Sequence, residues 1–527
     1  MIDVRLAVLA LLAAVVRVIP RLIRPYAVSS DAFYHLLAAD RIRENGHRLP
    51  ERLRGLFFPG PYDYPPLFHV LLSRFPARWM LPVEYLISPA IDVLYVWLCY
   101  AFTARVLVDF GGLAWPQALD RAFLVTVLFS LSPALLYSGR GPRAYNANPR
   151  ILSELLFGLA MVGAFWWVVG DRWSGFVLSV AGLAALLLGS KFGAQVLVFV
   201  LPLMALALGS PSLLALTVLG ILAALVPYRA RYWQIAKGHV GHMALFARIG
   251  LLRDPSMSRK SEWAELWGLI RRPFRTRSIY RLFCLNGIST FLIRNPQLFV
   301  LGAAGSALMW HEPAQRFLLG WTAATIAVFL VVTFRPLLFL GEPERYVSYS
   351  LLGQFALLGL LWDAVPVSLI WGLTAYSAVV SILYQSAFVK LNYKAPGRRR
   401  QGSELKTFFA GQPKVRQVLP IAEGPYSLAY ATNQEVFYPC GNFQIWHTPV
   451  SEYLRIYETF LMPRADTLEE TLTRYSIDTI VINKRNVVGR LRLKLDHFRP
   501  LFENETFLVL DVPAAESAVD ILAEQSA

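Results

Sequence analysis

Apolar stretches of helical length recur through the first 390 positions of this chain, at about 1–23, 86–108, 121–138, 151–169, 174–190, 193–208, 212–227, 296–310, 316–333, 346–362 and 365–388. A run of about 20 apolar residues spans the hydrocarbon core of a bilayer as a helix, and only helices or closed barrels satisfy their backbone there. About eleven such runs in series predict a polytopic α-helical membrane protein. Composition agrees: 56% of the 527 residues are hydrophobic and 16% charged, which does not fit a set of water-soluble domains. Three cysteines, Cys99, Cys284 and Cys440, cannot build a disulfide framework, and 13% aromatic residues exclude a disordered chain. Met1–Ile23 carries Arg5 ahead of its apolar run, as a signal peptide would. No small-residue cleavage site precedes Arg17 and Arg21, so it is read as a retained first helix.

Three parts are expected outside the hydrocarbon: loops at 24–85 and 228–295, and everything beyond a linker signal at Ala395-Pro-Gly-Arg-Arg-Arg400. Within the first loop, Tyr64–Leu72 is short, apolar and bracketed by prolines, which suits an interfacial helix. The division is therefore 1–394 as the membrane domain and 395–527 as a small α/β domain. Strand-like runs at Ile480–Ile482 and Phe507–Asp511 alternate there with helical patterns at Glu452–Phe460 and Leu468–Tyr475. The net charge of +16 is concentrated in the membrane part, because residues from Ala395 onward hold 15 basic and 16 acidic side chains. Such an excess either attracts anionic lipid head groups or binds a phosphorylated ligand. An odd number of spans places the carboxyl-terminal domain and the first loop together, opposite the amino terminus. With the amino terminus inside, both are extracytoplasmic. The 228–295 loop, with 13 basic and 3 acidic residues, then runs against the positive-inside tendency, which weakens in segments of this length.

Ionisable residues at span ends are costly to bury and are candidates for function. Asp31 follows the first span and shares a helix face with His35, four residues on. Its carboxylate either caps a helix beginning at Ala32 or serves as a general base. Asp63, Tyr64 and His69 form a second polar and aromatic cluster. A third, between two spans, holds Arg140, Arg143 and Arg150, with Glu154 the first acid to follow. Guanidinium forks grip phosphate oxygens, whether of a ligand or of lipid. Lys191 lies between two further spans, and Glu342, Glu344 and Arg345 open another, as an internal ion pair or as part of a site. Span parity puts all of them on one side of the membrane. Zinc-spaced Cys or His pairs, a phosphate-binding glycine loop and a nucleophile elbow are all missing.

Asp31, Gly46, Tyr64-Pro65-Pro66-Leu67, Leu131-Ser132-Pro133 leading to Ser138, and Lys191 occur in an order that resembles the GT-C superfamily of membrane glycosyltransferases. The resemblance spans about residues 1–210. It is to the polyprenyl-phosphate-sugar-dependent branch, which includes protein O-mannosyltransferases and lipid A aminoarabinose transferases. Two departures stand out: Ala32 occupies the place of a frequent second acid, and Arg143 has Asn146 or Asn148 nearby where the family often pairs Arg with Asp. The resemblance implies a GT-C-like fold and inverting transfer of a sugar from a polyprenyl-phosphate donor to a hydroxyl of a lipid, glycan or protein acceptor. It assigns Asp31 as the base, and Arg143, Lys191, Arg345 and Arg140 as the cations holding the donor phosphate. His35, Asp63, Tyr64, His69, Glu342 and Glu344 line the pocket. The oligosaccharyltransferase branch holds a divalent metal with several carboxylates; no cofactor is expected here, with a divalent metal left open. The expected partners are the lipid-linked donor, the acceptor and membrane lipids, without nucleic acid. The expected place is a bacterial or archaeal cytoplasmic membrane, with the site facing outward. The competing interpretations are a transporter or flippase for a lipid-linked or anionic solute, which would place ionisable groups at mid-span, and an inactive carrier-binding scaffold.

Overall fold

The structure is a computed structural model that describes residues 3–23, 30–56, 62–138, 141–144, 146–252, 261–271, 281–305, 311–391, 397–421, 423–437, 465–485 and 497–513. Helix α1 (Val4–Ile23) shows how the apolar runs become spans. Leu9, Ala13, Arg17, Pro20 and Arg21 form a buried stripe, while Val4, Val8, Leu11, Val15, Ile19 and Leu22 are exposed on the opposite face. An apolar outer face suits lipid, and the two arginines turn inward, where they find partners. The chain continues through α2 (Ser30–Glu44), α3 (Leu67–Ser73), α4 (Ala77–Asp109), α5 (Trp115–Leu131) and the single turn α6 (Pro133–Leu136). A two-residue hairpin, β1 (Tyr137–Ser138) and β2 (Gly141–Pro142), leads to α7 (Pro149–Val168), α8 (Trp173–Gly189), α9 (Lys191–Leu208) and α10 (Pro211–Tyr228). Beyond these lie α11 (Ala230–Leu252) and α12 (Glu262–Ile270).

Among the described residues, 7 helices are long and apolar enough to cross a membrane: α1, α4, α7, α9, α10, Pro313–Val332 and the Val367–Ser386 part of Val367–Leu391. Two apolar helices, α8 and Leu351–Leu360, are shorter. The protein is a polytopic helical membrane protein. Boundaries differ from the apolar runs at four places. The run at 121–138 is helical as α5 only to Leu131 and then breaks at Ser132 into α6 and β1. Helix α4 begins at Ala77 and keeps Pro82 and Pro89 inside it, as membrane helices tolerate. The run at 296–310 gives a described helix over Pro296–Ala303 only, and 306–310 lie outside the described residues. The run at 346–362 is split into Glu344–Ser348 and Leu351–Leu360. One continuous core joins these helices, with Tyr95, Phe129, Phe157, Phe165, Phe317 and Trp321 among its buried side chains. Small residues set the closest approach: a Cβ on Gly163 of α7 would stand 2.5 Å from the Ser179 backbone nitrogen of α8.

The carboxyl-terminal part is an α/β domain, as the mixed periodicity predicts. Its five-stranded sheet runs β4-β3-β5-β7-β6, from β3 (Gln417–Ile421), β4 (Glu435–Val436), β5 (Thr479–Asn483), β6 (Arg499–Glu503) and β7 (Phe507–Asp511). Strand β3 is parallel to β4 and β5, and β7 is antiparallel to β5 and β6. Helices Pro425–Thr432 and Ala465–Arg474 flank it; the expected helix at 452–460 lies outside the described residues. The sheet docks on the first loop. Tyr34, Leu37, Ile42, Leu53, Leu56 and Tyr62 share one apolar cluster with Phe409, Val418, Tyr426, Ala429, Val436 and Val481. A parallel bridge between Leu56 and Val436 extends the sheet by one residue of that loop. Helix α2 and the carboxyl-terminal domain therefore occupy the same end of the helical bundle.

Candidate active site

Helix α2 starts at Ser30, which puts Asp31 in its first turn and not at the cap position. The carboxyl keeps access to solvent, yet the surrounding protein raises its pKa above the usual 3.8, and the positive charge of Arg345 opposes that rise. Arg345 is delivered by a turn at Gly341, whose φ of 112° lies where a side chain would be strained, between the 3-10 turn Arg335–Leu340 and Glu344–Ser348. Its Nε donates to Glu342 Oε2 at 2.8 Å, and its guanidinium lies 5.9 Å from the Phe192 ring centre. Burial and Glu342 together raise the Glu344 carboxyl, against the pull of Arg294 and Arg345.

Tyr64 ties this group to the rest. Burial and the Asp31 charge both raise its phenol pKa, while Arg345 lowers it, so all three side chains share one electrostatic environment. Lys191 Nζ lies 5.3 Å from the Tyr64 ring centre and 4.0 Å from Asp63 Oδ1. It opens α9, where Ser190 caps the helix by accepting from the Gly193 amide. From the other side α11 presses close, since a Cβ on Gly238 would run into the Asp63 carboxylate. His35 Nδ1 and His69 Nε2 are 2.8 Å apart beneath Tyr64, and the Tyr62 hydroxyl is hydrogen bonded to His69 Nδ1.

Arg143 has another occupation. Its side chain is buried and paired with Asp92 of α4 and Glu154 of α7, and Asp92 also binds Arg17 of α1. A second buried pair joins Arg21 to Glu84 at 2.6 Å, and Glu84 accepts from the Ala147 amide at 2.6 Å. These carboxylates, shared with Arg17 and Arg150, hold Arg143 inside the bundle, whereas the resemblance implied a donor phosphate for it. They also place charges inside spans, not only at their ends, but each is met by an opposite charge. Arg140 lies outside the described residues. Arg150, named in that same cluster but given no phosphate role, stands nearer the Arg345 group: its Nε is 3.2 Å from Glu154 Oε1, and both Arg345 and Glu342 act on its charge. Glu154 in turn accepts from Ser348 at 3.1 Å, and Ser153 bonds the Tyr349 hydroxyl at 2.6 Å, so α7 and Glu344–Ser348 are locked together. Asp92 gave one signal in the sequence, an acid within an apolar run with no local partner. Among the described residues no three His, Cys, Asp or Glu side chains form a metal site.

No family model and no curated protein matches this sequence. Solved structures do. ArnT from Cupriavidus metallidurans in the apo state matches over 97% of this chain and 99% of its own, with a TM-score of 0.57 and 13% identity. The apo oligosaccharyltransferase of Archaeoglobus fulgidus matches over 90% of this chain and 69% of its own, with a TM-score of 0.54 and 13% identity. The chain has the GT-C fold. The archaeal oligosaccharyltransferase AglB from Archaeoglobus fulgidus, in complex with an inhibitory peptide and a dolichol-phosphate, matches at a TM-score of 0.54 and 11% identity over 91% of this chain and 69% of its own. Within this fold the end of the bundle that carries Asp31, Tyr64, Lys191 and Arg345 is the end covered by the carboxyl-terminal sheet.

Proposed function

We propose that this protein is an integral-membrane inverting glycosyltransferase that moves a sugar from a polyprenyl-phosphate-linked donor to a hydroxyl of a lipid, glycan or protein acceptor on the extracytoplasmic face. The observation that carries this reading is the meeting of one solvent-reaching carboxylate with Tyr64 and separate cations from three elements. Asp31 takes the proton of the acceptor hydroxyl. The oxygen attacks the anomeric carbon from the side opposite the phosphate, and the bond from that carbon to the phosphate oxygen breaks with its electron pair. Arg345, Arg150 and Lys191 hold the phosphate and meet the charge that grows on it. His35, Asp63, His69, Glu342 and Glu344 shape the pocket around these groups. No step in this scheme calls on a cofactor. AglB, similar to this chain in fold, forms a complex with a dolichol-phosphate, which agrees in chemistry with a lipid-phosphate donor.

Asp31→Asn keeps the shape and removes the base. In proteoliposomes supplied with isotope-labelled short-chain polyprenyl-phosphate hexoses, the variant is expected to fold and to lose transfer. Full transfer by Asp31→Asn overturns the assignment. Mass spectrometry of glycolipids and surface glycans in a deletion strain then identifies sugar and acceptor together.

A further inference from the structure

The three buried polar side chains beneath Tyr64 have a feature that pocket lining does not require. Tyr62 and His69 are each 0% exposed and His35 4%, and they form an unbroken series from Tyr62 to His69 to His35. Aromatic rings wall them: Tyr34, Phe68 and Tyr64 lie 5.2, 5.6 and 5.8 Å from the His35 ring centre. Among the described residues none accepts a hydrogen bond from His35 Nε2, the far end of the series. His35 itself lies on the face of α2 that also carries Asp31, one turn earlier.

Chemistry gives the series a direction. A neutral phenol is a much better donor than acceptor, so Tyr62 donates to His69 Nδ1. A neutral imidazole has one N–H, so His69 then carries its proton on Nε2 and donates to His35 Nδ1. His35 is left with its single proton on Nε2. Burial keeps both imidazoles neutral, His35 being lowered to about 3.

We propose that Tyr62, His69 and His35 form a relay of fixed direction that presents His35 Nε2–H as a neutral donor to a carbohydrate hydroxyl beside Asp31. The inference rests on the glycosyl-transfer reading, and it makes His35 a binding residue and Tyr62 and His69 positioning residues. A neutral donor suits a hydroxyl, whereas the phosphate has its own cations in Lys191, Arg150 and Arg345. The hydroxyl belongs either to the donor sugar or to the acceptor.

Two measurements on the full chain test this. Nitrogen NMR of the histidine-labelled protein in lipid, without substrate, should show His35 protonated on Nε2, and Tyr62→Phe should disturb that tautomer while the fold survives. A His35 protonated on Nδ1, or a Tyr62→Phe spectrum like the wild type, overturns the relay. In transfer assays with polyprenyl-phosphate hexoses, His35→Ala should lose about tenfold in kcat/KM, the worth of one hydrogen bond, with His35→Gln recovering part through its own N–H. A rise in KM for the lipid-linked sugar places the hydroxyl on the donor, and a rise for the acceptor alone places it there. Unchanged kinetics in His35→Ala, with wild-type transfer intact, overturns the binding role. Wild-type protein that transfers no sugar while the tautomer is as described sinks the glycosyl-transfer reading and the carbohydrate assignment, and leaves only the direction of the relay standing.

Discussion

At the scale of single residues, Asp31 and Arg345 are coupled by a field that can be measured. Burial lifts the Asp31 carboxyl and Arg345 pulls it back. A base works ionised, so kcat/KM falls as pH drops through its pKa, and that acid limb should lie above the ordinary carboxylate range. Arg345→Gln removes the lowering influence and should move the limb to higher pH, whereas Arg345→Lys should leave it nearly in place. The same Arg345→Gln also loses a phosphate contact, worth about 2–4 kcal/mol of transition-state stabilisation. A pH profile of kcat/KM checks both, and a limb that stays fixed or moves down would separate the two residues. The sequence pointed to this group because ionisable side chains at the end of a span are expensive unless they have a task. It did not show that Arg143 pairs with Asp92, 51 positions away, nor what sets Arg150 apart from the other two arginines of its cluster. Nothing local in a sequence tells a neutralised guanidinium from one turned to a ligand.

At the scale of elements, α1, α4 and α7 are joined by charge as well as by apolar packing. Asp92 serves Arg17 and Arg143 at once, and all three side chains are out of water. Asp92→Asn should leave the buried Arg17 guanidinium without its counter-charge and Arg143 with Glu154 alone, and cost about 3–5 kcal/mol. The exposed pair Arg105–Asp109 on the same helix is the control, since Arg105→Ala should cost about 0.5 kcal/mol or less. Thermal unfolding of the purified protein in detergent measures the difference; equal losses would show that the buried network is dispensable. Helices were legible in the sequence wherever an apolar run was unbroken. Their ends were not, because Pro82 and Pro89 are accommodated in α4, while the run at 346–362 is interrupted around Tyr349 and Ser350 by a break made in three dimensions.

At the scale of the whole molecule, the carboxyl-terminal domain acts on the helix that carries the base. Strands β5 and β7 were visible as short apolar runs, but their docking was not, because it joins residues nearly the whole chain apart. Tyr426 packs on Tyr34 with ring centres 5.0 Å apart, and Tyr430 on Phe33 at 5.6 Å. The Val436 amide donates to the Gly55 carbonyl at 2.9 Å, and Glu435 Oε1 accepts from the Gly55 amide at 3.1 Å. The domain therefore holds both α2 and the loop after it, and with them the position of Asp31. Replacing a buried aromatic ring by alanine typically costs about 3–5 kcal/mol, and here that loss falls on the dock and not on the bundle. Tyr426→Ala should speed hydrogen exchange of the α2 amides and lower kcat, with the spans as protected as before. Tyr426→Phe keeps the ring and should behave as the wild type. If α2 stays protected and kcat is unchanged in Tyr426→Ala, the sheet domain covers the bundle without positioning its base.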